Sequence, residues 1–122
     1  MNWNDYEYFT EEEFRCSATD RCVMEKYFMD RLTMLRIDYD RPMVISSGYR
    51  DHTHPVESYK LKGGSHTEGI ACDVKCNAGM DSYDLVQLAF KHNFSGVGVC
   101  QKEGKSRFVH LDLRPRVAIW SY

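Results

Sequence analysis

The segment Ile70-Ala71-Cys72-Asp73-Val74 constrains the fold most: an apolar run of strand length with a carboxylate inside it. Such a run reads as a buried strand. An unpaired carboxylate there is costly, so Asp73 must meet backbone N–H groups, an arginine or a bound cation. A second segment, Phe108-Val109-His110-Leu111-Asp112-Leu113, alternates with period two. Phe108, His110 and Asp112 therefore share one face of a strand, and Val109, Leu111 and Leu113 the other. His110 and Asp112 are thus both presented to one side of the sheet.

The remaining elements can be read along the chain. Thr10 followed by Glu11, Glu12 and Glu13 predicts a short helix with a capping box. The strongest helical pattern runs from about Val23 to Arg36, with Val23, Tyr27, Phe28, Leu32 and Leu35 on one broad face. Met24 and Met34 fall within the same arc and Met29 outside it. Met43–Ser46 reads as a short buried strand, and a long polar loop follows from Asp51 to Ser65. Ser82–His92 reads as a helix that Asp81 or Ser82 can cap and Asn93 can end. Gly96–Cys100 and Phe108–Leu113 read as a hairpin, with Gly104 in its turn. The expectation is an α+β fold, a small antiparallel sheet with flanking helices, made by residues 1–122 as one domain.

Composition excludes several function classes. Apolar residues make up 43% and charged residues 28%, the proportions of a folded chain rather than a disordered one. The formal net charge is -2 with no Lys/Arg run, which disfavours nucleic-acid binding. No stretch is long and apolar enough to span a bilayer. Met1–Glu12 lacks the basic start and apolar run of a secretory signal. Synthesis in a cytoplasm is expected, with another agent delivering the protein to any external substrate. Cys16, Cys22, Cys72, Cys76 and Cys100 form no CxxC pair, and their odd number argues for reduced thiols. A Cys16–Cys22 pair, or a second metal held by the two with other partners, is the alternative.

Two imidazoles and a carboxylate are the ligand types of a catalytic zinc site, which leaves its fourth position to water. His66, at the entry to the Asp73 strand, and His110 complete such a set. Gly69 permits the tight turn between His66 and the strand. Cys72 faces away from Asp73 by alternation and is excluded from the set. His52 and His54 lie in the polar loop, and His92 sits where a histidine suits a helix dipole. None of the three is a first choice.

Taken in order, Ser47-Gly48-Tyr49-Arg50, Ser65-His66-x-x-Gly69-x-Ala71-x-Asp73 and Phe108-Val109-His110-x-Asp112 resemble the zinc D-alanyl-D-alanine carboxypeptidase family. Its relatives include phage endolysins, vancomycin-resistance dipeptidases and hedgehog signalling domains, and the ending Ile119-Trp120-Ser121-Tyr122 is similar to that of short phage members. The resemblance implies one Zn2+ per chain on His66, Asp73 and His110. It implies Arg50 as a substrate-contacting arginine near the scissile carbonyl and Ser65, by its match to some relatives, as a residue near the substrate; Ser65 reads equally as a loop hydroxyl that caps a local turn. It also implies a peptidoglycan stem peptide as substrate, cut either as a D-Ala-D-Ala carboxypeptidase or as an L-Ala-D-Glu endopeptidase in phage-type cell-wall lysis. A monomer is expected.

The sequence departs from the family where several relatives carry a carboxylate base, three residues before the last ligand. That position is Arg107, and Phe108 stands where some relatives have a histidine. Asp112 is then the first candidate for the base and Glu103 the second. Asp112 has an equal claim as the partner that orients a ligand. Two other readings remain: a zinc-holding but inactive binding module, and a structural phage component that keeps only the fold.

Overall fold

The computed structural model describes residues 1–55 and 64–122. Residues 56–63 of the polar loop lie outside the described residues. After a 3-10 turn at Trp3–Asp5 come α1 (Glu11–Phe14), α2 (Lys26–Tyr39), β1 (Ile45–Ser47), β2 (Ala71–Lys75), α3 (Gly79–Lys91), β3 (Gly96–Cys100), β4 (Phe108–Asp112) and β5 (Ala118–Ser121). The sheet runs in the order β1-β2-β4-β3-β5. The pairs β1–β2, β2–β4 and β4–β3 are antiparallel, as the sequence implies. The β3–β5 pair is parallel, which makes the sheet mixed.

The sheet has a dry face and a polar face. Cys72, Val74, Val97, Val109 and Leu111 enter one hydrophobic core with Phe28, Leu32 and Leu35 of α2 and Leu85 and Ala89 of α3. Helices on a single face of the sheet leave the other free to carry polar chemistry. Phe28 meets Phe94 edge-on at 6.0 Å, which ties α2 to the end of α3.

Several boundaries differ from the expectation. Helix α2 starts at Lys26 rather than Val23 and continues to Tyr39, where Asp40 closes it in the left-handed conformation. Its buried side is Phe28, Met29, Leu32 and Leu35, while Val23, Tyr27 and Met34 are exposed. At about 100° per residue those four make one arc, so Met29 turns inward and Tyr27 and Met34 fall on the far side. The first sheet strand is Ile45–Ser47, and its register against β2 is irregular between Ile45 and Ser47. Helix α3 starts three residues before Ser82, at Gly79. Asp81 is not its cap residue; it sits inside the first turn and accepts from the N–H groups of Asn77 and Ala78. Asn93 ends the helix with a positive φ of 60°.

Strand β5 was not anticipated. Ile119, Ser121 and Ala118 are exposed, so the segment lacks the clean apolar alternation of a half-buried strand. Its pairing comes from β3, whose outer edge is otherwise open.

Candidate metal centre

Asp73 and His110 are directly opposite each other in the β2–β4 ladder. His110 Nδ1 lies 2.9 Å from Asp73 Oδ1, and His66 Nε2 lies 3.4 Å from the same oxygen. All three residues are buried, and their ligand atoms lie within 4.8 Å of one another. Among the described residues this is the one His/Cys/Asp/Glu group of three or more able to hold a metal ion.

The turn that delivers His66 depends on Gly69. With φ of 73°, Gly69 adopts a conformation that L side chains resist, and a Cβ there would overlap the Val23 carbonyl. The turn closes through Ile70 N–H donating to the Ser65 carbonyl, with Ser65 half-buried just before His66. His66 is then fixed from behind. Its Nδ1–H donates to the Gly48 carbonyl at 2.7 Å, and its own carbonyl accepts from Arg50 N–H. Gly48 packs so closely on α1 that a Cβ would lie 2.6 Å from Phe14 Cα. Thus Ser47-Gly48-Tyr49-Arg50 acts here as a backbone clamp that leaves His66 Nε2 for the cluster.

His110 is fixed in the complementary way. Its Nε2–H donates to Asp112 Oδ2 at 2.6 Å, which leaves Nδ1 facing Asp73. Asp112 is fully buried and is also held by Arg114, whose Nη2 donates to Oδ2 at 2.6 Å and whose Nε donates to Oδ1 at 3.0 Å. A histidine nitrogen set by a carboxylate on its far side is the usual support of a metal-ligating imidazole. Burial pushes the Asp73 carboxyl up, but hydrogen bonds from His110 and His66 outweigh it and hold it well below the usual range. Burial likewise opposes charge on His110, but its bonds to Asp112 and Asp73 prevail and raise its pKa. Both shifts come from contacts between the imidazoles and the carboxylates, so a proton and a metal ion would compete for the same atoms.

Other residues singled out by sequence fall at different distances from this centre. Arg50 donates from Nε to Ser47 Oγ at 3.1 Å and reaches Asp73 Oδ2 from Nη2 at 3.4 Å. Glu103 is exposed on the β3–β4 turn and lines a groove with Cys76, Asn77 and Arg107, away from the cluster residues. His52 is exposed beside Asp51, His54 Nε2 lies 3.1 Å from Ser17 Oγ, and His92 Nε2 pairs with Asp38. Cys72 is buried in the core, where burial pushes its thiol pKa up, and all five cysteines are free.

The sequence reading missed the far wall of the site. The ladder puts Ser47, Asp73, His110, Gly98 and Trp120 in one row across the sheet. Because Gly98 has no side chain, the Trp120 indole lies over it, 5.1 Å from the His110 ring. Gly96 makes room in the same way for Asp112 and Arg114, and the Arg114 guanidinium stacks 4.3 Å over Trp120. The available signal was the alternation Gly96-Val97-Gly98-Val99: a strand bare on one face invites neighbouring side chains to fill it.

Residues 7–112 match the family model for peptidase M15. No curated protein matches the chain. The match covers most of the sequence and both halves of the cluster, so the chain belongs to the peptidase M15 family. That membership places it among hydrolases, in a family of zinc-dependent enzymes.

Proposed function

We propose that this protein is a zinc peptidase that hydrolyses the stem peptides of bacterial peptidoglycan, with His66, Asp73 and His110 as the metal ligands. The observation that carries the reading is the opposed anchoring of the two imidazoles. Gly48 holds His66 by Nδ1, and Asp112 holds His110 by Nε2, so the remaining nitrogens converge on Asp73. Two imidazoles and a carboxylate are a donor set for zinc with an open fourth position. When bound, zinc supplies a Lewis acid that polarises the scissile carbonyl and makes water more acidic.

The chain's own residues then divide the remaining work. Arg50, at the rim of the cluster, binds the developing oxyanion or a substrate carboxylate with its planar fork. Asp112 orients His110; with its oxygens taken by His110 and Arg114, it is a positioning residue in this reading rather than the base. Ser65 lines the approach beside His66. Action at the cell wall is part of this proposal; no described helix is long and apolar enough to cross a membrane.

Digestion of purified cell wall, with and without a chelator, tests the proposal. Release of D-Ala marks a carboxypeptidase, and fragments with new L-Ala carboxyl and D-Glu amino ends mark an endopeptidase. An intact wall after incubation with zinc-loaded protein would reject it. One observation favours a second reading, an inactive zinc-binding module: Arg107 occupies the position where several relatives carry a carboxylate. Stoichiometric zinc with no digestion would select that reading.

A further inference from the structure

Strand β5 lies beyond residues 7–112 that match the family, yet it faces the cluster. Trp120 is in the row of Asp73 and His110. Tyr122 extends the same alternation by two residues, and its N–H donates to the Val99 carbonyl at 3.3 Å. The Tyr122 ring packs 4.9 Å from Phe108, which is on the His110 face of β4, and 6.5 Å from Trp120. These rings are not core residues. Phe108 and Trp120 are half-buried and Tyr122 is 50% exposed, so aromatic area remains open beside a buried polar cluster. Peptide sites combine such apolar walls with a few placed polar groups.

The Tyr122 hydroxyl is the placed polar group. Burial pulls its pKa upward, and a hydrogen bond that its oxygen accepts from the Trp120 indole opposes that pull. A tyrosine phenol is protonated at neutral pH in any case, so its O–H is available as a donor. Arg50 and Tyr122 both lie close enough to Asp73 to interact with it. They frame the cluster from different parts of the chain.

We propose that β5 completes the substrate groove: Phe108, Trp120 and Tyr122 form an apolar wall for the alanyl side chains of the stem peptide, and the Tyr122 hydroxyl donates a hydrogen bond to its backbone. This rests on the reading of the protein as a peptidoglycan peptidase. The wall explains the glycine at position 98. A Cβ there would lie 2.6 Å from Trp120 Nε1 and would push the indole out of the groove.

The protein has two tryptophans, so its indole N–H groups give two NMR signals. A synthetic stem pentapeptide titrated into the zinc-loaded protein should shift the Trp120 signal saturably and leave the Trp3 signal unmoved. Tyr122→Phe should keep its zinc and its fold, bind the pentapeptide about tenfold more weakly, and digest cell wall about tenfold more slowly, as loss of one hydrogen bond implies. Digestion by the unaltered protein with an unmoved Trp120 signal would overturn the wall alone. So would a Tyr122→Phe variant that binds and digests normally. A protein that neither digests the wall nor responds to the pentapeptide would overturn both this inference and the function beneath it.

Discussion

His110 donates its Nε2–H to Asp112 at 2.6 Å, and Arg114 locks the same carboxylate from the other side. This fixes which histidine nitrogen can face Asp73. Asp112→Asn keeps the shape but weakens that acceptor and leaves Arg114 without its full counter-charge. Zinc affinity should fall by about 10–100-fold, the usual effect of losing such a partner. Competition with a chromophoric chelator measures it. Normal affinity with activity abolished would instead identify Asp112 as the general base.

The glycine that makes room for this pair gives an independent check. A Cβ on Gly96 would overlap Asp112 Oδ1 and lie 2.5 Å from Arg114 Nε. Gly96→Ala should therefore lower stability by about 1–3 kcal/mol, the usual cost of overpacking. It should also weaken zinc binding, although it touches no ligand. Denaturant unfolding and the chelator competition together separate this from a general loss of fold. Unchanged zinc affinity in a folded Gly96→Ala protein would show that the Asp112–Arg114 pair does not support His110.

Gly69 and Gly104 have nearly the same backbone, with φ of 73° and 76°. Their surroundings differ: a Cβ on Gly69 meets the Val23 carbonyl, and one on Gly104 meets nothing within 4 Å. Gly104→Ala should cost only the left-handed backbone penalty, about 1–2 kcal/mol. Gly69→Ala should cost clearly more, because the His66 turn or the segment before α2 must move. Paired chemical denaturation curves test the difference, and equal losses would show that the Val23 contact yields easily.

How much of this was legible in the sequence follows the physics of each element. Asp73 and the face shared by His110 and Asp112 could be read because a charge in an apolar strand and a period of two are local signals. The Gly69 turn was readable for the same reason. The arc of α2 was misjudged at Tyr27, Met29 and Met34, since all are apolar and only packing decides which side turns inward. Strand β5 was invisible because its order comes from pairing with β3, not from its own pattern. Without β5 in place, Trp120 could not be set beside His110, and Arg114 could not be recognised as the lock on Asp112.

Tyr6 offers a pH test away from the site. Its hydroxyl donates to Asp30 at 2.7 Å, and Lys26 pairs with the same carboxylate. Burial and the bond to Asp30 raise the Tyr6 pKa to about 12 from the ordinary 10.0. A raised pKa means that the folded protein keeps a proton the unfolded chain has released. The contribution is whole below pH 10 and is lost as pH rises toward about 12. The stability advantage over Tyr6→Phe should therefore be constant from pH 7 to 9 and shrink between pH 10 and 12. Urea unfolding of both proteins across that range checks the sign, and an advantage that grows with pH would contradict it.

Arg50 is the residue whose loss should separate chemistry from metal binding. It is anchored by Ser47 Oγ at 3.1 Å and stands 3.4 Å from Asp73 Oδ2, while both ligand histidines of the proposal have their own supports. Arg50→Gln should therefore retain one equivalent of zinc. If the guanidinium binds the oxyanion, cleavage should slow by about 10²–10³-fold, mainly in kcat. If it clamps a substrate carboxylate in the ground state as firmly as in the transition state, the loss should appear in KM with kcat preserved. Arg50→Lys should rescue little in either case, because an ammonium lacks the planar fork that spans Ser47 and Asp73. Steady-state kinetics on a stem pentapeptide, with zinc content measured on the same samples, distinguish the two roles. A zinc-loaded Arg50→Gln protein with unaltered kcat and KM would remove Arg50 from the reaction.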